Sequence, residues 1–331
     1  MSIDKTKIFI AGTGSYVPEK ILTNADFEKM VDTTNEWIIQ RTGIEQRHIA
    51  APDEATSDLG YKAALNAIDS AGISISEIDL IIVATVTPDM SFPSTACIIQ
   101  NKLNAVNAAC FDLSAACTGF IYALSVAKDI MSNNNNMNTA LIIAAETLSR
   151  ITDYEDRSMC VLFGDGAGAA ILKKGPGESH IHDYILKADG SYGDLLKLPA
   201  GGSRMPASEH TIKNKLHFIN MDGNAVFKVA IKSMSSIAEE ILLKNNMNVN
   251  NLDMVIFHQA NIRILDFVRK RLQIPEDKVY INIQKYGNTS AATIAIALDE
   301  VVKKELVKKG SNILVVAFGG GFTWGALLLT L

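Results

Sequence analysis

FDLSAACTGFIYAL, residues 111–124, joins an alternating apolar run to a helix that is apolar or small on most faces. Cys117 lies at the junction. A helix that is apolar nearly all round is typical of the interior of a layered protein. Amide groups at its N-terminus stabilise an anion, so the pattern predicts that the pKa of Cys117 falls from about 8.5 toward neutrality. We therefore expect a reactive thiolate at the start of a buried helix.

The chain contains one pattern of elements twice. In the first half a helical pattern, YKAALNAIDSAG, leads to an apolar strand that we predict from Leu80 to Asp89. In the second half VAIKSMSSIAEEILLKNN leads to MVIFHQAN. Aligning Leu80 with Met254 brings His258 opposite Ala84, at the end of a buried strand.

Two later segments match in the same order. AACFDLSAACTGFIYAL resembles VYINIQKYGNTSAATIAIAL, which brings Cys117 and Asn288 to corresponding strand-to-helix loops. TALIIAAE matches NILVVAFG, so Gly319–Gly321 also follows a strand. Weak self-similarity is common in alternating strand–helix proteins, but three segments in one order favour duplication. If a pseudo-two-fold axis relates the halves, Cys117, His258, Asn288 and the glycines meet in one crevice.

Each of these residues also has a purely structural interpretation. A buried cysteine is usually a small hydrophobe, and we keep that interpretation for Cys97, Cys110 and Cys160. His258 is also consistent with a core histidine, and Asn288 with a helix cap or a turn residue. Three consecutive glycines suit either a tight turn or a loop whose N–H groups approach a ligand closely. The residues alone leave these alternatives open.

Composition and charge exclude several classes of function. The chain has 331 residues, 48% hydrophobic and 20% charged, which is typical of a globular protein of one or two domains. A net charge of −5 argues against nucleic acid or an anionic membrane as partner, so an acidic partner needs a local basic patch. The sequence carries no secretory signal and no apolar run of roughly 20 residues, so we expect a cytoplasmic location. The four cysteines form no CxxC pair, and we expect neither a disulfide framework nor a metal site.

Six strings carry a resemblance to a known family: NEWIIQRTGI, FDLSAACTGF, FGDGAGAAIL, HQANIRI, YGNTSAAT and GGGFTWG. Together, over almost the whole chain, they resemble β-ketoacyl-acyl carrier protein synthase III, the condensing enzyme that starts bacterial fatty-acid synthesis. The resemblance implies an α/β, thiolase-like fold whose duplicated βαβαβαβ halves, residues 1–173 and 174–331, form a five-layer α-β-α-β-α arrangement. It also implies a homodimer that needs no cofactor, with an acyl-CoA and malonyl-acyl carrier protein as substrates.

The resemblance implies a catalytic triad of Cys117, His258 and Asn288. Cys117 attacks a short acyl-CoA, with acetyl-CoA expected, while backbone N–H groups of Cys117 and Gly320 stabilise the oxyanion. Malonyl-acyl carrier protein then loses carbon dioxide, and His258 and Asn288 donate hydrogen bonds to the enolate oxygen. Phe227 matches the aromatic residue that makes the surroundings of the departing carboxylate apolar. The expected reaction is a decarboxylative Claisen condensation.

Coenzyme A recognition is implied at Trp37, Arg41 and Arg157, with Thr33 and Asn261 as further contacts. A planar adenine stacks between an indole and a guanidinium, while Arg41 meets phosphate charge. Asn261 matches the residue that supports the pantetheine end of the ligand.

Two interaction surfaces are also implied. Arg263 and Lys270 lie on one face of a predicted helix directly after the active-site turn, and Lys228 follows Phe227. These cations match a docking site for the acidic acyl carrier protein, although most basic helix faces only solubilise a protein. Phe92 matches a residue of the dimer interface that reaches the acyl pocket of the partner.

Competing functions differ at single positions. A synthase III-like enzyme of secondary metabolism, with another primer or acceptor, would carry the same strings. Elongating synthases have a second histidine where this chain has Asn288, and thiolases need a second catalytic cysteine in the C-terminal glycine turn. A non-catalytic condensing-enzyme partner would lack Cys117. Residues 174–216 hold no strong motif, yet we expect them to help shape the acyl pocket, so the primer length stays open.

Overall fold

Two five-stranded sheets form the frame of the protein, for which a computed structural model describes residues 7–177 and 179–331. The strands in that part of the chain are β1 (Lys7–Tyr16), β2 (Lys20–Thr23), β3 (Gln46–Ile49), β4 (Leu80–Ala84), β5 (Ala109–Leu113), β6 (Thr139–Thr147), β7 (Asp165–Gly175), β8 (His180–Ala188), β9 (Leu196–Lys197), β10 (Asn220–Met221), β11 (Met254–Phe257), β12 (Val279–Tyr280), β13 (Asn312–Gly319) and β14 (Thr323–Thr330). The α-helices are α1 (Asn24–Phe27), α2 (Asn35–Thr42), α3 (Thr56–Ala71), α4 (Thr95–Leu103), α5 (Gly119–Asn133), α6 (Arg157–Cys160), α7 (Glu209–Lys213), α8 (Gly223–Lys244), α9 (Ile262–Arg271), α10 (Ile283–Tyr286) and α11 (Ala292–Lys303).

The two large sheets share one topology. The first has the order β5-β4-β6-β7-β1 and the second the order β12-β11-β13-β14-β8. In each sheet the first three strands are parallel, and the last two pairings are antiparallel. The duplication predicted from the sequence is therefore confirmed strand by strand.

An aspartate has the same contact in each half. Asp79 Oδ2 accepts the N–H of Thr139 at 3.0 Å, and Asp253 Oδ2 accepts the N–H of Asn312 at 2.8 Å. Each carboxylate thus ties the start of one parallel strand to the start of its neighbour. Asp79 and Asp253 are the residues that the sequence alignment placed opposite each other.

The expected division between residues 173 and 174 falls inside β7, which continues to Gly175. We propose that the two halves divide after Gly175, because a strand that is hydrogen-bonded along its length to β1 belongs entirely to the first half.

Buried apolar residues divide the protein into five layers. Helices α3 and α4 cover the outer face of the first sheet, and α8 and α9 cover the outer face of the second. Helices α5 and α11 lie between the sheets and contact both. Along β4, Leu80, Ile82 and Ala84 face the central helices, while Ile81 and Val83 face α3 and α4. The alternation confirms the α-β-α-β-α arrangement, since successive strand residues point to opposite faces.

Strand β4 is shorter than predicted: it ends at Ala84 and not at Asp89. The chain leaves the sheet where polar groups offer it other partners. Thr85 Oγ1 and Thr87 Oγ1 donate to the Glu146 carboxylate at 3.1 and 2.6 Å. Side chains of this type compete with a sheet for hydrogen bonds and favour a turn.

The topology brings several loops to one edge of the two sheets. Cys117 precedes α5, His258 follows β11, Asn288 precedes α11, and Gly319 ends β13. None of the helices within the described ranges combines the length and the apolar character needed to cross a bilayer.

Candidate active site

A single cavity of about 680 Å³ collects the predicted catalytic residues. Cys117, His258, Asn288 and the glycine turn Gly319–Gly321 all line it. Most of the remaining lining is apolar and includes Phe227. The convergence expected from the duplicated pattern is present, since residues from both halves reach one space.

The turn before α5 fixes the position of Cys117. Ala116 has φ 46°, a left-handed conformation that is uncommon for a residue with a side chain. Thr323 Oγ1 donates to Ala115 O at 3.0 Å and holds this turn against β14. A methyl group added at Gly319 would lie 2.7 Å from the Cys117 nitrogen, so only glycine permits the approach of β13.

Burial raises the pKa of the Cys117 thiol to about 12. The Ser290 hydroxyl opposes this shift, and the nearby Glu146 carboxylate adds to it. The predicted lowering of the Cys117 pKa is therefore wrong. The helix N-terminus is present, but removal of the sulfur from water disfavours the thiolate more strongly.

The raised pKa predicts how Cys117 reacts with a simple electrophile. Because the thiolate fraction grows about tenfold per pH unit below the pKa, the rate of Cys117 alkylation by iodoacetamide should rise steadily from pH 6 to pH 9. Peptide mass spectrometry separates this reaction from that of the exposed Cys97. A plateau near neutral pH would show that the thiol is already ionised there and would contradict the raised pKa.

His258 is held at the end of β11 by its backbone and its ring. Its N–H donates to Val316 O at 2.8 Å, and its Nδ1 lies 2.7 Å from Thr293 Oγ1. The side chain is buried, and burial lowers the pKa of His258 to about 3. The imidazole is therefore neutral at physiological pH.

Asn288 is fixed on both its backbone and its side chain. Its N–H donates to Leu162 O at 2.9 Å, and its carbonyl accepts the N–H of Gly164 at 3.1 Å. Asn288 Oδ1 accepts the N–H of Ser290 at 2.8 Å. Because the amide oxygen is bound to the chain, the amide nitrogen is the donor that Asn288 has left for a ligand.

Sequence reasoning missed Glu146, at the end of β6. It is fully buried, and its carboxylate accepts from Val86 N–H at 3.1 Å and from Thr87 Oγ1 at 2.6 Å. Burial raises the pKa of Glu146 to about 7. The Ser290 hydroxyl lies close enough to both Glu146 and Cys117 to lower the pKa of each. An acidic residue closing the apolar run TALIIAAE was the available signal.

Three of the predicted coenzyme A residues line the cavity: Trp37, Arg41 and Asn261. Thr33 and Arg157 are not among its lining residues. Arg157 Cζ lies 4.8 Å from the centre of the Trp37 ring, whereas an intervening base needs about 7 Å, two contact distances. The expected slot between indole and guanidinium is closed by the guanidinium itself.

Asn261 has a local role that the sequence analysis did not assign. Its Oδ1 accepts the N–H of Arg263 at 2.9 Å and caps α9, while its Nδ2 donates to Arg41 O at 2.9 Å. The side chain thereby joins α9 to α2. Both polar atoms of the amide are used inside the protein.

Of the predicted docking and interface residues, Arg263 alone is among the residues that line the cavity. Arg263 lines the mouth, with its Cζ 5.5 Å from the centre of the Phe227 ring. Lys228 and Lys270 are exposed, and so is Phe92, 84% of which is accessible to solvent. No cluster of three or more His, Cys, Asp or Glu side chains in residues 7–177 and 179–331 is arranged to hold a metal ion.

Comparison with known proteins agrees with this geometry. A family model described as 3-oxoacyl-[acyl-carrier-protein] synthase III matches residues 111–190, and the model of its C-terminal region matches residues 242–331. The β-ketoacyl-[acyl-carrier-protein] synthase III of Caldanaerobacter subterraneus subsp. tengcongensis is 54% identical over 98% of both chains. The crystal structure of the 3-oxoacyl-[acyl-carrier-protein] synthase III of Aquifex aeolicus is 46% identical, with a TM-score of 0.90 over 98% of this chain and 100% of that one.

A priming β-ketosynthase of the R1128 polyketide pathway has the same TM-score of 0.90, covering 100% of this chain and 98% of that one, but it is only 34% identical. The two synthase III relatives named above are more similar to this chain, at 54% and 46% identity, so the alternative of a secondary pathway is not favoured. The chain belongs to the 3-oxoacyl-[acyl-carrier-protein] synthase III family of condensing acyltransferases.

Proposed function

We propose that this protein condenses a short acyl-CoA, with acetyl-CoA as the expected primer, with malonyl-acyl carrier protein. Carbon dioxide and coenzyme A are released, and the β-ketoacyl carrier product starts fatty-acid synthesis. The observation that carries the proposal is the meeting of Cys117, His258 and Asn288 in one cavity. Both thioesters are substrates, no further cofactor is invoked, and a cytoplasmic location is part of the proposal.

In the first half-reaction Cys117 Sγ attacks the thioester carbonyl of the acyl-CoA. The new carbon–sulfur bond forms as the bond between the acyl carbon and the coenzyme A sulfur breaks. Cys117 loses its thiol proton, and the departing coenzyme A sulfur gains a proton. We assign the oxyanion of the intermediate to the N–H groups of Cys117 and Gly320. The closeness of the glycine turn to the Cys117 backbone supports this assignment.

In the second half-reaction the malonyl group loses carbon dioxide. The electron pair of the broken bond becomes an enolate, and its oxygen takes hydrogen bonds from His258 Nε2–H and Asn288 Nδ2. The resulting carbon nucleophile attacks the acyl group on Cys117, the bond from the acyl carbon to the sulfur breaks, and the released thiolate takes a proton from water to regenerate the thiol. Phe227 supports the step because an apolar wall disfavours the carboxylate and favours its loss.

Coenzyme A recognition is proposed at the mouth, at Trp37, Arg41 and Arg157, with Thr33 and Asn261 beside them. The buried Thr33 hydroxyl has no hydrogen-bond partner in the described chain and does not line the cavity, so it would have to become accessible before a ligand could contact it. Arg157 would have to leave the face of Trp37 before a base could stack there. Asn261 contributes by holding the Arg41 backbone.

The acidic acyl carrier protein is proposed to dock on Arg263, Lys228 and Lys270. Arg263→Glu should lower turnover with malonyl-acyl carrier protein about tenfold at low salt, because a rim charge governs encounter between oppositely charged proteins. Added salt should narrow the difference from wild type.

Lys309→Glu is the matched control for the docking prediction. Lys309 is exposed and lies before β13, at the end of the strand opposite the cavity. The substitution Lys309→Glu changes the charge by the same amount as Arg263→Glu, but away from the proposed docking surface. If Arg263→Glu and Lys309→Glu lower turnover equally, the change in net charge explains the loss, and the proposal of a local docking site is contradicted.

A homodimer is proposed through the free edge of the first sheet. β5 is the last strand there, and Phe111 and Val106 expose 36% and 73% of their surfaces near it. Phe92, which the resemblance assigns to the dimer interface, is exposed and accessible to a partner.

The experiment that tests the function is intact-mass spectrometry in two steps. Purified protein is first incubated with acetyl-, butyryl- or branched acyl-CoA, and then with malonyl-acyl carrier protein. The first step shows which primer becomes attached, and the second shows whether a β-ketoacyl carrier forms. A protein that takes up no acyl group from any of these thioesters would contradict the proposal.

A further inference from the structure

The contact on the buried side of the His258 ring determines which ring nitrogen carries the proton. The active-site nitrogen Nε2 is needed as a donor to the enolate, an assumption that rests on the proposed function. A neutral imidazole has one proton for two nitrogens, and burial keeps the His258 ring neutral. Which nitrogen carries the proton is therefore decided by the partner of Nδ1.

Thr293 Oγ1 is that partner, at 2.7 Å from Nδ1. His258 and Thr293 are 2% and 3% exposed, so water does not compete for the contact. The Thr293 hydroxyl has one proton and two candidate acceptors: His258 Nδ1, and Ser290 O at 3.0 Å.

The two directions of this hydroxyl have opposite consequences. If it donates to Ser290 O, then Nδ1 must be the protonated nitrogen, and Nε2 presents a lone pair to the cavity. If it donates to Nδ1, then Nε2 carries the proton and is a donor. Ser290 O already accepts the N–H of Thr293 at 3.3 Å, so it does not depend on the hydroxyl, and the contact to Nδ1 is the shorter one.

We propose that Thr293 is a positioning residue whose hydroxyl donates to His258 Nδ1 and so fixes the Nε2–H tautomer that faces the cavity.

The same short segment also orients the second donor. Ser290 N–H holds Asn288 Oδ1 at 2.8 Å and leaves Asn288 Nδ2 for the cavity. Residues 288–293 thus set both groups, His258 Nε2–H through Thr293 and Asn288 Nδ2 through Ser290. A lone pair on Nε2 would place an acceptor beside the Asn288 donor, where the enolate oxygen needs two donors.

Nitrogen-15 NMR of the protein labelled at histidine tests the assignment directly, because protonated and unprotonated ring nitrogens have distinct chemical shifts. His258→Asn identifies the signals of this ring. In the wild-type protein we expect an unprotonated Nδ1 and a protonated Nε2. The reverse pattern would overturn the proposal, whatever the activity.

Kinetics of three proteins give the second readout. Thr293→Val keeps the shape and removes the hydroxyl; we expect the Nε2–H fraction to fall and carbon dioxide release from malonyl-acyl carrier protein to slow about tenfold, the worth of one hydrogen bond. Acylation of Cys117 by acetyl-CoA should stay at the wild-type rate. Thr293→Ser keeps the hydroxyl and should retain both the wild-type NMR pattern and the wild-type rate.

Two results with the variants would also overturn the proposal: an NMR pattern and decarboxylation rate in Thr293→Val equal to those of wild type, or a loss in Thr293→Ser as large as that in Thr293→Val. Failure of the proposed function gives a different signature, because wild-type protein would then take up no acetyl group. The NMR pattern is measured without any substrate, so the two failures are distinguishable.

Discussion

Cys117→Ala is expected to take up no acetyl group from acetyl-CoA, whereas the wild-type protein gains the mass of one. Condensation should fall by at least about three orders of magnitude, because loss of a covalent nucleophile removes the intermediate itself. The structure supports a loss of this size, since the turn at Ala116 and the glycine turn place the sulfur at the cavity wall. Intact-mass spectrometry and peptide mapping measure the result.

Cys160→Ala is the matched control. Cys160 is buried in the hydrophobic core and is not among the residues that line the cavity. The variant should take up one acetyl group at the wild-type rate. An acetyl group on a cysteine other than Cys117, or one retained by Cys117→Ala, would contradict the assignment of the nucleophile.

Asn288→Asp is expected to separate the two half-reactions. The new carboxylate still accepts the N–H of Ser290, but the amide donor is replaced by an acceptor. Decarboxylation of malonyl-acyl carrier protein should slow by about two to three orders of magnitude, the usual cost of one lost oxyanion donor. Acetylation of Cys117 should continue, because the assigned oxyanion donors of the first step are backbone groups.

The control for charge is Asn224→Asp. Asn224 is an exposed residue at the cavity mouth, so the variant adds a carboxylate near the site without removing an assigned donor. We expect decarboxylation close to the wild-type rate. If both variants lose decarboxylation equally, or if Asn288→Asp also blocks acetylation, Asn288 is not the specific enolate donor.

The global arrangement could be predicted because it depends on repeated, local patterns. The match of Asp79 with Asp253 and of Cys117 with the loop before α11 is a matter of strand and helix periodicity. Once both halves share a topology, their strand ends must meet, and His258 reaches the same space as Cys117. This prediction required no knowledge of any distance between residues of the two halves.

The electrostatics could not be predicted, because they depend on what surrounds each group. The start of α5 suggested an ionised Cys117, but burial has the larger effect on its pKa. Glu146 is distant in sequence from Cys117, and only the fold brings it near. Asn261 was assigned to a ligand, yet its amide joins two helices. Contacts of this kind have no signature in local periodicity.

A single-turnover chase tests most directly whether the sulfur, imidazole, amide and glycine turn act on one acyl group. Acetylated protein is freed of coenzyme A and mixed with malonyl-acyl carrier protein, and the masses of both proteins are followed in time. The acetyl group should leave Cys117 at the rate at which acetoacetyl carrier protein appears. Product formation while the acetyl group stays on Cys117, or loss of that group to water without product, would contradict the account.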